Sequence, residues 1–410
     1  MPVEIAVQRR ILLVLAAAQV LGGVGVAGAI AVSSLVASRL SGSEAVGGLA
    51  QTSTVLGAAA GSFAVARVAG RAGRRPALCL GYGVASVGGA GAVVAVSVGS
   101  APALLVALLL VGAATAAGLA ARFAATDLAA PDRRARALSM IVWATTVGAV
   151  AGPNLAAPVQ AVAGGLGLEP ATGPYLLCTG AFAVAALGTW VGLRPDPLLA
   201  ARAAAGPEPG RPPRAPEVRA ALLSSPAALL GLGAIIVGHL LMVGLMSMTP
   251  VHMDHGGATL AVVGLVISLH VAGMYALSPL FGWLADRAGR PRVLALAAVL
   301  LLASGILCSL SGPADTGLLA AGLVFLGLGW SGGLVAGSAL LSESVPVRVR
   351  TGVQGLADVA MNVSGAVGSI SAGLVFAGTS YAVLGVVAAV LAVPYLVAAA
   401  SAGLRVRPAT

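Results

Sequence analysis

The chain has 410 residues, 59% of them hydrophobic and only 9% charged, with a net charge of +10. A soluble fold needs far more charge to cover its surface, so a water-soluble globular protein is excluded. The positive excess does not point to nucleic acid, because its placement along the chain has a simpler cause.

Taken in order, twelve apolar runs each approach or exceed the roughly 20 residues that carry a helix across a bilayer. In the first half they fall at about 11–37, 45–66, 76–98, 103–126, 137–163 and 173–193. In the second they fall at about 226–250, 258–284, 293–312, 316–341, 351–376 and 379–401. Barrel strands would give short alternating segments instead, a pattern the chain lacks. The first run is too long for a cleaved signal peptide and is read as the first span. The predicted fold class is an all-α membrane protein with twelve transmembrane helices.

All 23 basic residues are arginine, and nearly all sit in alternate short loops: Arg9 and Arg10, Arg67 to Arg75, Arg133 to Arg136, Arg194 to Arg219, Arg287 to Arg292, Arg348 and Arg350, Arg405 and Arg407. Arg39 is the exception among the opposite loops. This alternation is the positive-inside pattern and predicts a multi-pass protein of the cell (inner or plasma) membrane with both termini cytoplasmic. Cys79, Cys178 and Cys308 stand apart in or beside apolar runs and read as packing residues rather than a disulfide framework. His252, Asp254 and His255 crowd the outward loop after the seventh run, where a solvated loop is favoured over a metal site.

Residues 196–225, rich in Pro, Ala and Arg, cannot build a core and read as a cytoplasmic linker. They separate an N-terminal bundle, 1–195, from a C-terminal bundle, 226–410. The two halves are related. Arg71, Gly73 and Arg74 match Arg287, Gly289 and Arg290, each pair 216 positions apart. Asp127 and Glu343, Arg134 and Arg350, and Val147 to Gly152 with Val363 to Gly368 keep the same offset. Two parallel six-helix halves joined by a linker are the plan of one class of secondary transporter.

The stretch GWLADRAGRPR, from Gly282 to Arg292, resembles the signature loop of the major facilitator superfamily at Gly282, Asp286, Arg287, Gly289 and Arg290. The first-half copy departs from it, with Ala66 for the first Gly and Gly70 for the Asp. Such an Asp can sit at a helix N-terminus, and the arginines can pair with Asp127 or Glu343. The resemblance implies two pseudo-symmetric six-helix bundles rocking about a mid-membrane site, with Asp286 and Arg287 as a cytoplasmic latch and Arg71, Gly73 and Arg74 in the weaker copy. On span 5, Gly148, Gly152 and Pro153 are similar to the family's antiporter motif, with Ser139, Ala156 and Ala157 where glycines are usual. The same residues also suit ordinary close helix packing.

Charge inside a bilayer is costly, so intramembrane polar residues are functional candidates. Of 13 acidic residues only Asp358 falls well inside a predicted span. Gln354, Asp358 and Asn362 are four apart and share a helical face. Asp358 is a candidate proton carrier; the other reading is an ionised residue that pairs with a loop Arg or caps a helix near the cytoplasmic face. His239 and His270 lie near mid-span and are proton-coupling candidates or packing residues. Arg122 on span 4 either snorkels to the interface or, as the resemblance implies, takes part in proton transfer. Gln19, Gln354, Asn362 and Tyr275 are candidates for lining a substrate cavity.

The reading is a transporter and not an enzyme: a proton-coupled antiporter that exports a small organic molecule. A uniporter or importer and a non-transporting membrane sensor are the alternatives. No cofactor, structural metal or nucleic-acid partner is expected, and a monomer in the lipid bilayer is.

Overall fold

The computed structural model describes residues 2–204, 214–258 and 260–405. Among the described residues fifteen α-helices follow one another: α1 Pro2–Ser41, α2 Glu44–Ala72, α3 Arg74–Ser97, α4 Ala101–Ala124, α5 Arg134–Gly165, α6 Gly173–Gly192, α7 Pro197–Ala204, α8 Ala215–Leu223, α9 Pro226–His255, α10 Leu260–Tyr275, α11 Ser278–Ala288, α12 Arg290–Leu310, α13 Thr316–Glu343, α14 Val347–Gly378 and α15 Tyr381–Arg405. No strand occurs among the described residues. Among the described residues twelve spans are long and apolar enough to cross a membrane, with α10 and α11 together making the eighth. Helices suit this solvent because they satisfy every interior backbone group within one segment. Large apolar side chains such as Leu13, Phe63, Val87 and Leu374 stand exposed around the outside, where lipid would meet them.

The chain groups into two compact units. Unit 1 holds Met1–Ala129, Ala144–Pro213 and Gln354–Val359; unit 2 holds Ala130–Trp143, Arg214–Val353 and Ala360–Thr410. A short piece of α14 therefore belongs with unit 1, and the start of α5 with unit 2.

Three local features differ from the sequence expectations. The signature stretch is not a loop: α11 and α12 are joined by Gly289 alone, and α2 and α3 by Gly73 alone. Both glycines have positive φ, 94° and 97°, a conformation that side-chain-bearing residues rarely adopt, and it reverses the chain within one residue. Second, the eighth span is broken after Tyr275. Pro279 carries no N–H and its ring clashes with the carbonyl four residues back, which is that of Tyr275. The freed Tyr275 carbonyl accepts the Ser278 hydroxyl at 2.8 Å. Third, His252 is not in a solvated loop. It lies in the last turn of α9, buried, and stacks on Tyr381 with ring centroids 4.2 Å apart.

Helices approach closely where glycines face each other. In unit 1 a methyl on Gly152 would lie 2.8 Å from the Gly28 nitrogen, and one on Gly23 would lie 3.0 Å from Gly148 Cα. The side chain of Pro153 falls outside the described residues. In unit 2, a methyl on Gly244 would lie 3.3 Å from the Gly368 oxygen. Gly244 and Gly368 are the 216-residue counterparts of Gly28 and Gly152. The close approach on span 5 is thus built twice, and packing accounts for it.

Candidate functional site

In unit 1, four charged side chains converge at the arginine-rich helix ends. Arg74 opens α3 and is buried. Its Nε donates to Asp127 Oδ2 at 2.7 Å and its Nη2 to Asp127 Oδ1 at 3.3 Å. The same Nη2 donates to Gln354 Oε1 at 2.6 Å. One turn along α14 from Gln354, Asp358 Oδ1 accepts from Arg122 Nη2 at 2.6 Å. Arg122 is 1% exposed and Asp358 3% exposed, so this ion pair is shut away from solvent. The Arg122 guanidinium also lies over the Phe123 ring, 4.6 Å from its centre. It does not snorkel: the carboxylate of Asp358 is within reach inside the bundle, which removes the reason to extend to the interface. Among the described residues, Arg122 Nε and Nη1 have no hydrogen-bond partner.

Asn362, near the middle of α14, groups with unit 2 and is of intermediate burial, whereas Gln354 and Asp358 group with unit 1.

Unit 2 carries its own charged cluster. Asp286, near the end of α11, accepts the backbone N–H of Ala135 at 3.1 Å and of Arg136 at 2.9 Å. These are first-turn amides of α5, where the helix dipole favours a negative charge. Arg290 Nη2 reaches Asp286 at 3.0 Å and Glu343 at 2.8 Å. It also donates to the Pro131 carbonyl at 2.9 Å. Arg287 is exposed and lies over Trp283, 5.4 Å from the ring centre. Arg290 rather than Arg287 therefore engages the carboxylates. Arg71 is likewise exposed.

The 216-residue repeat acts as an internal control on these contacts. Arg74–Asp127 in unit 1 has its counterpart in Arg290–Glu343 in unit 2. At the opposite helix ends, Ser33 meets the Tyr175 hydroxyl (3.1 Å) and its 216-offset counterpart Thr249 meets the Tyr381 hydroxyl (2.8 Å), although the two tyrosines, near the starts of α6 and α15, are 206 apart and do not keep the offset. Contacts built twice answer a need of the shared fold. Arg122–Asp358 is built once: the counterparts of its two residues are Ser338 and Val142.

Near mid-depth the remaining candidates separate. Gln19 Nε2 donates to Thr145 Oγ1 at 2.9 Å in unit 1. His270 is buried, and its Nδ1 faces the Leu323 carbonyl at 2.8 Å. Since a carbonyl only accepts, the proton is on Nδ1 and the ring bolts α10 to α13. His239 Nδ1 accepts from the indole N–H of Trp330 at 3.0 Å. Tyr275 meets the same indole edge-on, centroids 5.7 Å apart at 84°.

Asp127, which the sequence offered as a partner for the motif arginines, is buried although it follows a span end, and its Arg partner explains that. Two further contributors were not legible from the sequence. Trp330 shows no motif. Asp196 accepts the N–H of Arg75 at 2.8 Å and that of Leu198 at 3.0 Å, so one carboxylate caps α3 and α7. The sequence Asp196-Pro197 at a helix start is the signal that would have found it.

The comparisons with known proteins agree with this architecture. The family model described as Major Facilitator Superfamily matches residues 13–261 and 245–410. An uncharacterized MFS-type transporter of Bacillus subtilis, YddS, is 37% identical over 386 residues, 93% of this chain and 88% of the relative. The riboflavin transporter RfnT of Brucella anthropi is 30% identical, covering 90% of this chain and 89% of its own. Among solved structures, the human organic anion transporter MFSD10 aligns with a TM-score of 0.71 at 15% identity, covering 96% of this chain and 99% of that one. The fucose:proton symporter FucP of E. coli aligns with a TM-score of 0.72 at 13% identity, covering 95% and 98%. By family model, relatives and fold together, the chain belongs to the major facilitator superfamily of multi-pass membrane transporters.

Proposed function

We propose that this transporter moves a small organic molecule in exchange for protons, with Asp358 as the proton carrier and Arg122 as its counter-charge. The observation that carries this reading is the single occurrence of the buried Arg122–Asp358 pair in a fold that duplicates its structural ion pair. A buried pair is a poor source of stability, because desolvation offsets the attraction. Its presence in one unit alone argues for a task beyond folding. Protonating Asp358 removes its charge and leaves the Arg122 guanidinium uncompensated in an apolar interior. That state favours any rearrangement that brings Arg122 to water or to another anion. Proton binding is thereby linked to a change of conformation. In His270 the Nδ1 proton is committed to a backbone carbonyl, so Nε2 is the atom left to take up a proton.

Export is the direction proposed. A second reading, import, gains from the duplication of the span-5 glycine contact, which removes direction-specific meaning from Gly152. A relative named for riboflavin supports a small organic cargo. The membrane is proposed to be the cell membrane, with the arginine-rich helix ends on the cytoplasmic side.

The test is flux in proteoliposomes under an imposed pH gradient, comparing the parent with Asp358→Asn. The expected result is loss of the gradient-driven component while gradient-independent exchange persists. Equal gradient-driven flux in the variant overturns the assignment.

A further inference from the structure

On the surface of unit 1 a groove of about 690 Å³ lies between α3, α4 and α6. Gly83 of α3 forms its recess, and a methyl there would meet nothing within 4 Å. Val87 of α3, Leu110 of α4 and Trp190 of α6 stand around it, and Val87 and Trp190 are exposed. The lining carries no hydroxyl, carboxamide or charged group, so along these spans it suits hydrocarbon rather than water.

The groove has a definite length and one charged end. From Pro76 to Val87 it follows α3 for about 16 Å, at 1.5 Å per residue. One leaflet supplies about 15 Å of hydrocarbon, half of a core roughly 30 Å thick. The groove is thus as long as one leaflet is deep. Arg75 stands at the Pro76 end. Asp196 takes the backbone N–H of Arg75 at 2.8 Å, together with those of Leu198 and Leu199, so this carboxylate is engaged by amides. The Arg75 guanidinium lies over the Trp190 ring, 4.4 Å from its centre, and pairs with no carboxylate among the described residues. Arg194, four residues beyond Trp190 and exposed, adds a second cation at this helix end.

The 216-residue repeat does not copy the arrangement. Pro291 stands in the place of Arg75 and Val299 in the place of Gly83. Val299 is exposed, so unit 2 presents a side chain at the position where unit 1 is recessed. A general requirement of contact with lipid would be met alike in both units. A guanidinium held by an indole above an apolar channel one leaflet deep matches a phospholipid in both charge and shape. Arginine binds phosphate oxygens in a fork, and basic pockets between spans take anionic headgroups.

We propose that this groove binds one anionic phospholipid from the leaflet at the arginine-rich helix ends, with an acyl chain along Gly83 and the headgroup phosphate on Arg75. The site does not depend on the proton reading above. The test is native mass spectrometry of the purified full-length protein, with phosphatidylglycerol and phosphatidylcholine of identical chains offered in equal amounts. The parent should retain phosphatidylglycerol in preference, and Arg75→Gln should reduce that preference about fivefold, the worth of one arginine beside an anionic headgroup. Arg10→Gln, which removes an exposed arginine of α1, should leave it unchanged. Gly83→Leu fills the recess and should weaken retention of both lipids. The thermal midpoint without added lipid confirms that each variant is folded, and Gly83→Val, the residue unit 2 carries there, replaces a Gly83→Leu that is not. Equal retention of the two lipids by the parent overturns the proposal. So does full preference in folded Arg75→Gln, an equal loss in Arg10→Gln, or unchanged retention in the folded Gly83 variant.

Discussion

Two substitutions that spoil the family motif, read residue by residue, turn out to compensate each other. Gly282 is the first motif glycine, and a methyl on it would meet Ser139 Cβ at 2.7 Å. In the other copy Ala66 stands at that position, and it packs on Gly355, the counterpart of Ser139. Each contact has one glycine and one larger residue, on opposite partners. Gly282→Ala should therefore lower stability by about 1–3 kcal/mol through overpacking. Adding Ser139→Gly should restore most of the loss, because it recreates the Ala66–Gly355 arrangement. Thermal unfolding in detergent measures both, and additive losses would show that the two positions are uncoupled. From sequence the departures look like decay of the motif, because exchange of bulk between partners becomes visible only when the partners are known. The motif's Gly, Asp and Arg positions were legible because helix turns, caps and ion pairs demand particular residue types. The place of Trp330 was not, since an indole in an apolar run serves packing and recognition alike.

Charge and backbone geometry act together at the level of elements. Asp286 holds the start of α5, and Arg290 braces α11, α12 and α13 through Asp286 and Glu343. In unit 1, Gly70 replaces the Asp, and the α3 cap comes from Asp196 in the following chain segment. Removing Arg74 as Arg74→Gln leaves Asp127 buried without its counter-charge, at a cost of about 3–5 kcal/mol. The double variant Arg74→Gln with Asp127→Asn should recover much of this, as two neutral amides can bond in the same space. Thermal midpoints report the recovery; no recovery would mean that the packing of the stems, not the charge, dominates. The broken eighth span was hidden from hydropathy because Ala276 and Leu277 are as apolar as a helix interior. Only Pro279 marked it, and a proline within an apolar run bends some helices and ends others.

Across the whole molecule, twelve spans and a repeat of 216 positions could be read before any coordinates, since bilayer thickness dictates span length. What could not be read is that the compact units do not follow the two halves of the sequence. Gln354–Val359 belongs with the first unit and Ala130–Trp143 with the second. Each half-chain therefore completes a unit built mostly from the other. Cutting the chain within residues 205–213 and co-expressing the pieces should yield a complex that purifies as one species. Either piece alone should be poorly stable, since unit 1 then lacks Asp358 opposite Arg122, and unit 2 lacks the α5 amides opposite Asp286. Pieces that purify separately and equally stably would contradict the assignment of the exchanged segments.

The one-residue joints at Gly73 and Gly289 leave no slack between the helices they connect. The end of α11 and the start of α12 can separate by no more than one residue's reach, and the same holds for α2 and α3. Each glycine is thereby a tether that keeps two helix ends together while leaving their angle free, and lengthening either joint by two residues should loosen that tether while leaving every helix intact.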